Sequence, residues 1–319
     1  MSSTTMISAK TAVRKKSRRK QFKKFFPLYL MLLPGCVYLF INNYIPMAGI
    51  VIAFKKMDFR KGIWGSPWNG LENFRFLFQT QDAFIITRNT ILYNLAFIIV
   101  NMVIGILLAI LICEIQSKLA KKVYQSIILV PFLMSMVILS YIVYALFSSE
   151  NGMVNNSILP LFGAEPKSWY NEPQYWPAIL IITNCWKGVG YGCLIYISTI
   201  IGIDKTYYEA AKLDGASRWQ QIKYITIPGL KTTVITLTLL SVGRIFYSDF
   251  GLFYQVPMNS GTILNTTNVI DTYVYRALLQ LGNVGMASAA GVYQSLVGFV
   301  IVLMSNLLVK KIDPDSALF

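Results

Sequence analysis

The chain has 319 residues, of which 55% are hydrophobic and only 13% are charged. Soluble domains carry about 25% charged residues, and here the apolar residues collect into long runs, so the composition indicates a protein of the lipid bilayer. The net charge is +15 and the sequence contains no histidine. That absence excludes a His-based catalytic triad, a His-ligated metal and a histidine proton relay.

The cysteines lack the pattern of a metal site or a disulfide framework. All four lie inside apolar runs without CxxC spacing: Cys36, Cys113, Cys185 and Cys193. We interpret them as small buried hydrophobic side chains. The sequence therefore predicts no cofactor, no metal site and no catalytic residue.

A basic arm opens the chain, with nine lysines and arginines among residues 1–26. Such an arm can bind nucleic acid, but an apolar run follows it immediately. We therefore predict no nucleic-acid partner, and we interpret the arm as a cytoplasmic anchor beside anionic membrane lipid.

Six apolar windows follow, each long enough for a spanning helix, which needs about 20 residues. They are Leu28–Phe54, Thr90–Cys113, Val123–Phe147, Pro177–Ile203, Leu230–Phe250 and Ala287–Val309. The pattern predicts an all-α polytopic membrane protein with six transmembrane helices. We divide it into the arm (1–26), a first transmembrane helix with its extracellular loop (27–88), a core of five transmembrane helices (89–309) and a cytoplasmic tail (310–319).

The distribution of lysine and arginine predicts the orientation of these spans. With the N-terminus inside, 19 basic residues lie on the cytoplasmic side and eight on the outer side. We therefore predict that both termini are cytoplasmic. Aromatic residues near the outer ends of the spans are interpreted as an interfacial belt, with a stacking or partner-docking surface as the alternative. They are Trp64, Trp68, Trp169, Tyr170, Tyr175 and Trp176.

The most informative cytoplasmic segment is the loop 204–228, between the fourth and fifth windows. Good helix formers predict a short helix through Glu209–Leu213, and Gly215 suits a C-terminal turn with positive φ. A second short helix is predicted from Ala216, and Pro228 is expected to interrupt the helix before the next window. Because the paired alanines have little bulk, the first helix can seat in a groove of another protein. An ordinary amphipathic loop is the alternative interpretation.

This loop resembles the EAA motif of permease subunits of binding-protein-dependent ABC importers. That pattern is Glu-Ala-Ala, three residues, Gly, nine residues, then Ile-x-Leu-Pro. The matching positions are Glu209, Ala210, Ala211, Gly215, Ile225 and Pro228, and Ile227 stands where leucine is usual. The resemblance implies that these residues, with Asp214, form the element that couples the spans to a cytoplasmic ATPase.

Further segments resemble carbohydrate-type permeases, and within them the LplB/YteP-like polysaccharide permease group. These segments are Tyr44-Ile45-Pro46, Gly62–Ser66 and Gly243–Gln255. The resemblance implies a type I ABC importer permease fold in a bacterial cytoplasmic membrane, with residues 89–309 as the core permease domain. It also implies import of oligosaccharides or polysaccharide fragments by alternating access.

The partners that the resemblance implies are a second homologous permease, two copies of a cytoplasmic ATPase, and an extracellular or periplasmic solute-binding protein. The sequence contains no P-loop pattern GxxxxGK[ST], whose backbone cradles nucleotide phosphates. ATP hydrolysis is therefore expected on a separate chain, and this chain is not expected to be an enzyme.

Polar residues inside the apolar windows are candidates for a solute path, because an ionisable group at membrane depth costs about 2.5–3.5 kcal/mol. The candidates are Asn184, Lys187, Tyr191, Arg244, Tyr247, Asp249 and Tyr254. Internal ion pairs, snorkelling charges and lipid-facing aromatics are the alternatives. On one helix, Arg244 and Asp249 would lie about 140° apart and would not pair. The two cations, Lys187 and Arg244, suggest an acidic glycan.

Two other classes of protein are less well supported. An ion-coupled secondary carrier usually places coupling carboxylates in its spans, and here only Asp249 lies well inside one. An intramembrane enzyme needs a carboxylate pair or metal cluster, whereas the 14 acidic residues are isolated apart from Asp313 and Asp315.

Overall fold

The computed structural model describes residues 23–280 and 282–312, and the predicted all-α membrane fold is confirmed there. Four helices are long and apolar enough to cross a membrane: Lys23–Phe54, Gln81–Glu114, Pro173–Gly202 and Val284–Lys311. Two bent helix pairs raise the number of spans to six if each pair crosses once. In the described part of the chain the extended structure is one isolated antiparallel bridge between Lys55 and Trp68.

The third span is sharply bent, which corrects the prediction of one continuous helix over Val123–Phe147. Helices Lys118–Leu133 and Met136–Phe147 meet at 96°. Pro131 lies near the end of the first helix and has no amide to donate. Ser135 then starts the second helix, because its hydroxyl accepts a hydrogen bond from the Ile138 amide at 3.2 Å.

The fifth span is shorter than predicted: helix Lys231–Val242 ends eight residues before Phe250, and the next helix is Phe250–Gln255. In the segment between them, 243–249, two backbone carbonyls accept hydrogen bonds from side chains of other spans. Asn94 Nδ2 donates to the Ile245 carbonyl at 3.0 Å and Gln294 Nε2 to the Phe246 carbonyl at 2.7 Å. Non-helical backbone is tolerated at membrane depth only where protein supplies such partners.

Two further helices form the loop between the fourth and fifth spans: Lys205–Leu213, and a segment Arg218–Gly229 that meets Lys231–Val242 at 51°. Other loops between the spans contain short helical pieces. These are Gly62–Gly65, Glu72–Phe74, Phe76–Gln79, Val154–Ile158, Leu159–Leu161, Trp169–Asn171, Gly261–Ile263, Leu264–Thr267 and Ile270–Leu279, and the short helix Pro173–Tyr175 leads into the fourth span.

The core lies around the second span (Gln81–Glu114) and the fourth (Trp176–Gly202), which pack along each other. Gly105 allows the Tyr196 ring to approach, since a methyl group there would lie 3.1 Å from it. On another face of the fourth span, Gly190 meets the backbone of Ile128 in the third. Small residues at such points let membrane helices approach closely.

The aromatic residues predicted as one interfacial belt fall into two groups. Trp64 and Trp68 are exposed. Trp169 and Trp176 are instead buried core residues: Trp169 Nε1 donates to Asn155 Oδ1 and Trp176 Nε1 to the Trp169 carbonyl, both at 2.8 Å. Buried indoles need such hydrogen-bond partners.

Candidate functional sites: a docking loop and a polar cleft

The docking loop, residues 204–228, begins at Asp204. The Asp204 carboxylate caps helix Lys205–Leu213 by accepting a hydrogen bond from the Thr206 amide at 2.9 Å. This bond stabilises the ionised carboxylate and so lowers the pKa of Asp204. The helix therefore has a fixed start at the end of the fourth span.

Gly215 closes the same helix, as the sequence predicts. Its φ is +78°, its amide donates to the Lys212 carbonyl at 3.1 Å, and the Ala216 amide donates to the Ala211 carbonyl at 2.8 Å. These two bonds define a Schellman motif, in which the first residue after the cap adopts a left-handed conformation. The positive φ at this position explains why the motif has glycine there. Ala211 has a small side chain, and its carbonyl also accepts one of the two hydrogen bonds of the turn.

The second helix of the docking loop begins at Arg218 rather than at the predicted Ala216. Ser217 and Gln220 form a reciprocal capping box there. The Tyr208 hydroxyl lies 2.9 Å from the Thr226 hydroxyl and joins the two helices. The docking loop is therefore a folded unit.

Several large apolar side chains of the docking loop are exposed. The exposed fraction is 89% for Leu213, 68% for Trp219 and 64% for Tyr207. The motif residues lie in the same loop: Glu209, Ala210, Asp214, Gly215 and Pro228 are exposed, while Ala211 and Ile225 are half-buried. Exposed apolar side chains beside polar ones are typical of a protein interaction surface.

One ion pair connects the docking loop to the second span, and two further contacts join the fourth and fifth spans beside the loop. Arg218 Nη1 lies 3.6 Å from Glu114 Oε2 at the end of the second span. Gly229 lies close to Ile203, and the hydroxyls of Thr199 and Thr233 approach to 3.0 Å between the fourth and fifth spans. The docking loop is therefore joined to the fourth and fifth spans by the chain itself and to the second span by this ion pair.

A polar cleft of about 430 Å³ lies between the second, fourth and fifth spans. Four of the seven predicted path residues line this polar cleft: Asn184, Tyr191, Arg244 and Tyr247. The other three, Lys187, Asp249 and Tyr254, do not line it.

Amide side chains supply much of the polarity of the cleft. Asn101 Nδ2 donates to Asn184 Oδ1 at 2.8 Å, and the buried Asn101 Oδ1 has no hydrogen-bond partner among the described residues. Asn94 and Ser241 also line the cleft. We did not predict Asn94 or Asn101, although two asparagines seven residues apart on one face of an apolar helix are themselves a signal.

Arg244 supplies the positive charge of the cleft. Its side chain is exposed, and in residues 23–280 and 282–312 the ion pairs are Lys61–Asp58, Arg75–Glu72 and Arg218–Glu114. Arg244 therefore has no carboxylate partner in the described chain. Because the fifth-span helix ends at Val242, the helical spacing used to relate Arg244 to Asp249 does not apply.

The three remaining candidates have local partners. Lys187 Nζ donates to the Met134 carbonyl at 2.5 Å and to the Phe132 carbonyl at 3.3 Å, at the bend of the third span. Asp249 caps helix Phe250–Gln255 by accepting from the Leu252 amide at 3.1 Å. Tyr254 stacks on Phe250 with ring centroids 5.0 Å apart.

Residues 101–314 match the family described as binding-protein-dependent transport system inner membrane component. The chain belongs to this family: it is a multi-pass inner-membrane permease subunit of an ABC importer, which confirms the resemblance identified from the docking loop.

Individual relatives extend over most of the chain. It is 35% identical to the polygalacturonan/rhamnogalacturonan transport system permease protein YteP of Bacillus subtilis (strain 168), over 91% of this chain and 89% of that protein. It is 30% identical to protein LplB of the same organism, over 91% and 90%. A chain of a bacterial ABC transporter that imports the acidic polysaccharide alginate matches with a TM-score of 0.84 and 33% identity, over 93% of this chain and 99% of that one.

Proposed function

We propose that this permease moves oligosaccharides or polysaccharide fragments from a solute-binding protein into the cytoplasm by alternating access. The observation that carries the proposal is the polar cleft, where asparagine amides and a cation that has no carboxylate partner among residues 23–280 and 282–312 face a space between three spans. Amides pair well with sugar hydroxyls because they both donate and accept hydrogen bonds. The relatives named for polygalacturonan, rhamnogalacturonan and alginate support the substrate class.

The charge of the cleft favours an acidic glycan. The planar Arg244 guanidinium suits bidentate pairing with a carboxylate, and one structural relative belongs to an importer of an acidic polysaccharide. Lys187 contributes less to this charge in our proposal, since its ammonium is engaged with two backbone carbonyls.

The docking loop is proposed to bind a cytoplasmic ABC ATPase, one copy on this chain and one on its partner permease. Support comes from the exposed Leu213, Trp219 and Tyr207, from the exposed Glu209, and from the links to three spans. The energy of ATP hydrolysis then reaches the polar cleft through the spans that line it. This placement requires the orientation predicted from the basic residues, with both termini cytoplasmic.

The exposure of the first span supports the proposal that a second permease chain is a partner. In the apolar part of helix Lys23–Phe54 no residue is buried. Asn42 and Asn43 lie within it, and their side-chain amides bond only back to the carbonyls of Tyr38 and Leu39 within the described chain. Polar side chains at membrane depth normally face protein rather than lipid. A homologous subunit that packs on this helix would cover them.

The ion-coupled carrier is less well supported. Asp249, the carboxylate expected to couple an ion, lies outside the cleft and caps a short helix. Such a carrier also has no use for a folded docking loop with exposed apolar residues.

Uptake by the reconstituted importer tests the proposal. Proteoliposomes that contain this chain, a second permease and an ATPase are supplied with binding protein and with uronic-acid or neutral oligosaccharides. We expect uptake that requires ATP inside and binding protein outside. Arg244→Gln should reduce uptake of the acidic sugars by about tenfold more than that of the neutral ones, since a charged hydrogen bond contributes about 1.5–3 kcal/mol.

Two results would contradict parts of this account. Uptake driven by an ion gradient without ATP would support the carrier and overturn the importer. An equal loss of acidic and neutral uptake in Arg244→Gln would eliminate charge selection by this residue while leaving the importer intact.

A further inference from the structure

A second cleft, of about 520 Å³, lies where the docking loop meets the ends of the second and fourth spans. We call it the basic cleft. Its polar edge is formed by Lys118, Lys121 and Lys205 together with the Tyr208 hydroxyl. The proposed transport of sugar through the polar cleft does not involve this basic cleft.

The basic cleft has an excess of positive charge. Glu114 is the carboxylate that lines it, and Glu114 is paired with Arg218 at 3.6 Å. Lys121 Nζ donates to the Cys113 carbonyl at 3.1 Å. The ammonium groups of Lys118 and Lys205 are exposed, with no hydrogen-bond or ion-pair partner in the described parts of the chain. Each of these two lysines is the first residue of its helix, where the helix dipole disfavours a cation.

The opposite wall of the basic cleft is apolar and belongs to the membrane helices. It includes Ile110 of the second span and Ile200 and Ile201 of the fourth. Ile201 is 63% exposed, so the wall continues onto the outer surface of the spans. Cations at the end of the spans beside an exposed hydrocarbon wall match a molecule with an anionic head and an apolar tail. A free anion or an acidic peptide would use the lysines and leave the wall uncovered.

We infer that the basic cleft binds an anionic phospholipid of the cytoplasmic leaflet. Its phosphate lies among Lys118, Lys121 and Lys205, and an acyl chain runs along Ile201. Juxtamembrane lysines attract anionic headgroups in this way. The lipid contacts both the second span and the docking loop, so it stabilises their junction. The inference rests on the proposed orientation, which places the docking loop on the cytoplasmic side.

Lipid binding to the full chain tests this inference. The purified chain in neutral detergent is titrated with phosphatidylglycerol or phosphatidylcholine, and bound lipid is counted by native mass spectrometry. The variant Lys118→Gln/Lys205→Gln keeps the structural bond of Lys121. The control Lys310→Gln/Lys311→Gln removes two exposed lysines that do not line the cleft.

We expect the wild-type chain and the control to bind one phosphatidylglycerol more tightly than phosphatidylcholine. The cleft variant should weaken that binding by about fivefold per lysine, from about 1 kcal/mol each, with unchanged thermal unfolding. Three results would overturn the inference. They are no preference for phosphatidylglycerol, a preference that survives in the cleft variant, and equal competition by added inorganic phosphate.

Discussion

Gly215 connects the sequence motif to the fold at the level of a single residue. Its φ of +78° is a conformation that costs other L-residues about 1–2 kcal/mol. We therefore expect Gly215→Ala to distort the turn between the two helices of the docking loop and to lower ATP-driven uptake several-fold. Uptake in proteoliposomes is the measurement.

The matched control for Gly215 is Gly202→Ala, at the end of the fourth span. Gly202 has helical backbone and nothing within 4 Å of an added methyl group. It should retain wild-type uptake. Equal uptake by the two variants would show that the left-handed turn is not needed for coupling.

Lys187 and Arg244 are both cations inside apolar windows of the sequence, and the structure gives them different surroundings. Lys187→Met removes the donor for two carbonyls at the bend of the third span, so we expect a loss of about 1–3 kcal/mol in the free energy of unfolding. Arg244→Met should change it by no more than about 0.5 kcal/mol. Unfolding in detergent measures both, and a larger loss for Arg244→Met would refute this division.

Some features of the cleft and its surroundings can be predicted from the sequence, whereas others cannot. Polar, charged or aromatic side chains inside apolar windows identify four residues that line the cleft: Arg244, Tyr247, Tyr191 and Asn184. The contacts of Lys187 depend on a bend in another span, 53 residues away in the chain, so local sequence does not reveal them.

At the level of helices, the close approach of the third and fourth spans depends on Gly190. A methyl group there would lie 1.9 Å from the Ile128 carbonyl oxygen, whereas Gly192, two residues on, has nothing within 4 Å. We expect Gly190→Ala to lower the free energy of unfolding by about 1–3 kcal/mol, as overpacking does. Gly192→Ala should be nearly neutral. Thermal unfolding of the two variants compares them directly, and equal midpoints would rule out a tight contact at Ile128.

Hydropathy predicts how many spans there are but not where a helix breaks inside one. The fifth window continues as apolar sequence to Phe250, yet the helix ends at Val242. The break is stable because Asp271 accepts from the Ser248 amide at 2.7 Å and because Asn94 and Gln294 hold the neighbouring carbonyls. These partners come from three other elements, so a linear pattern cannot indicate them.

For the whole molecule, the docking loop and the polar cleft lie on the same three spans. The docking loop continues from the fourth span, leads into the fifth and contacts the second through Arg218 and Glu114. The cleft is lined by those spans. In the proposed mechanism, a partner that moves the loop changes the shape of the cleft. The exposed first span leaves one face available for a second permease.

Capture of an ABC ATPase by the full chain tests the central claim most directly. The comparison is between the wild type, Glu209→Ala combined with Gly215→Pro, and Glu165→Ala combined with Gly163→Pro. Proline cannot adopt positive φ, and Gly163 has a φ of +64° in a predicted outer loop, so the third protein carries the same chemical changes on the opposite side. We predict that the wild type and the outer-loop variant retain the ATPase and that the docking-loop variant loses it. Equal retention by all three would contradict the claim that residues 204–228 couple this permease to its energy source.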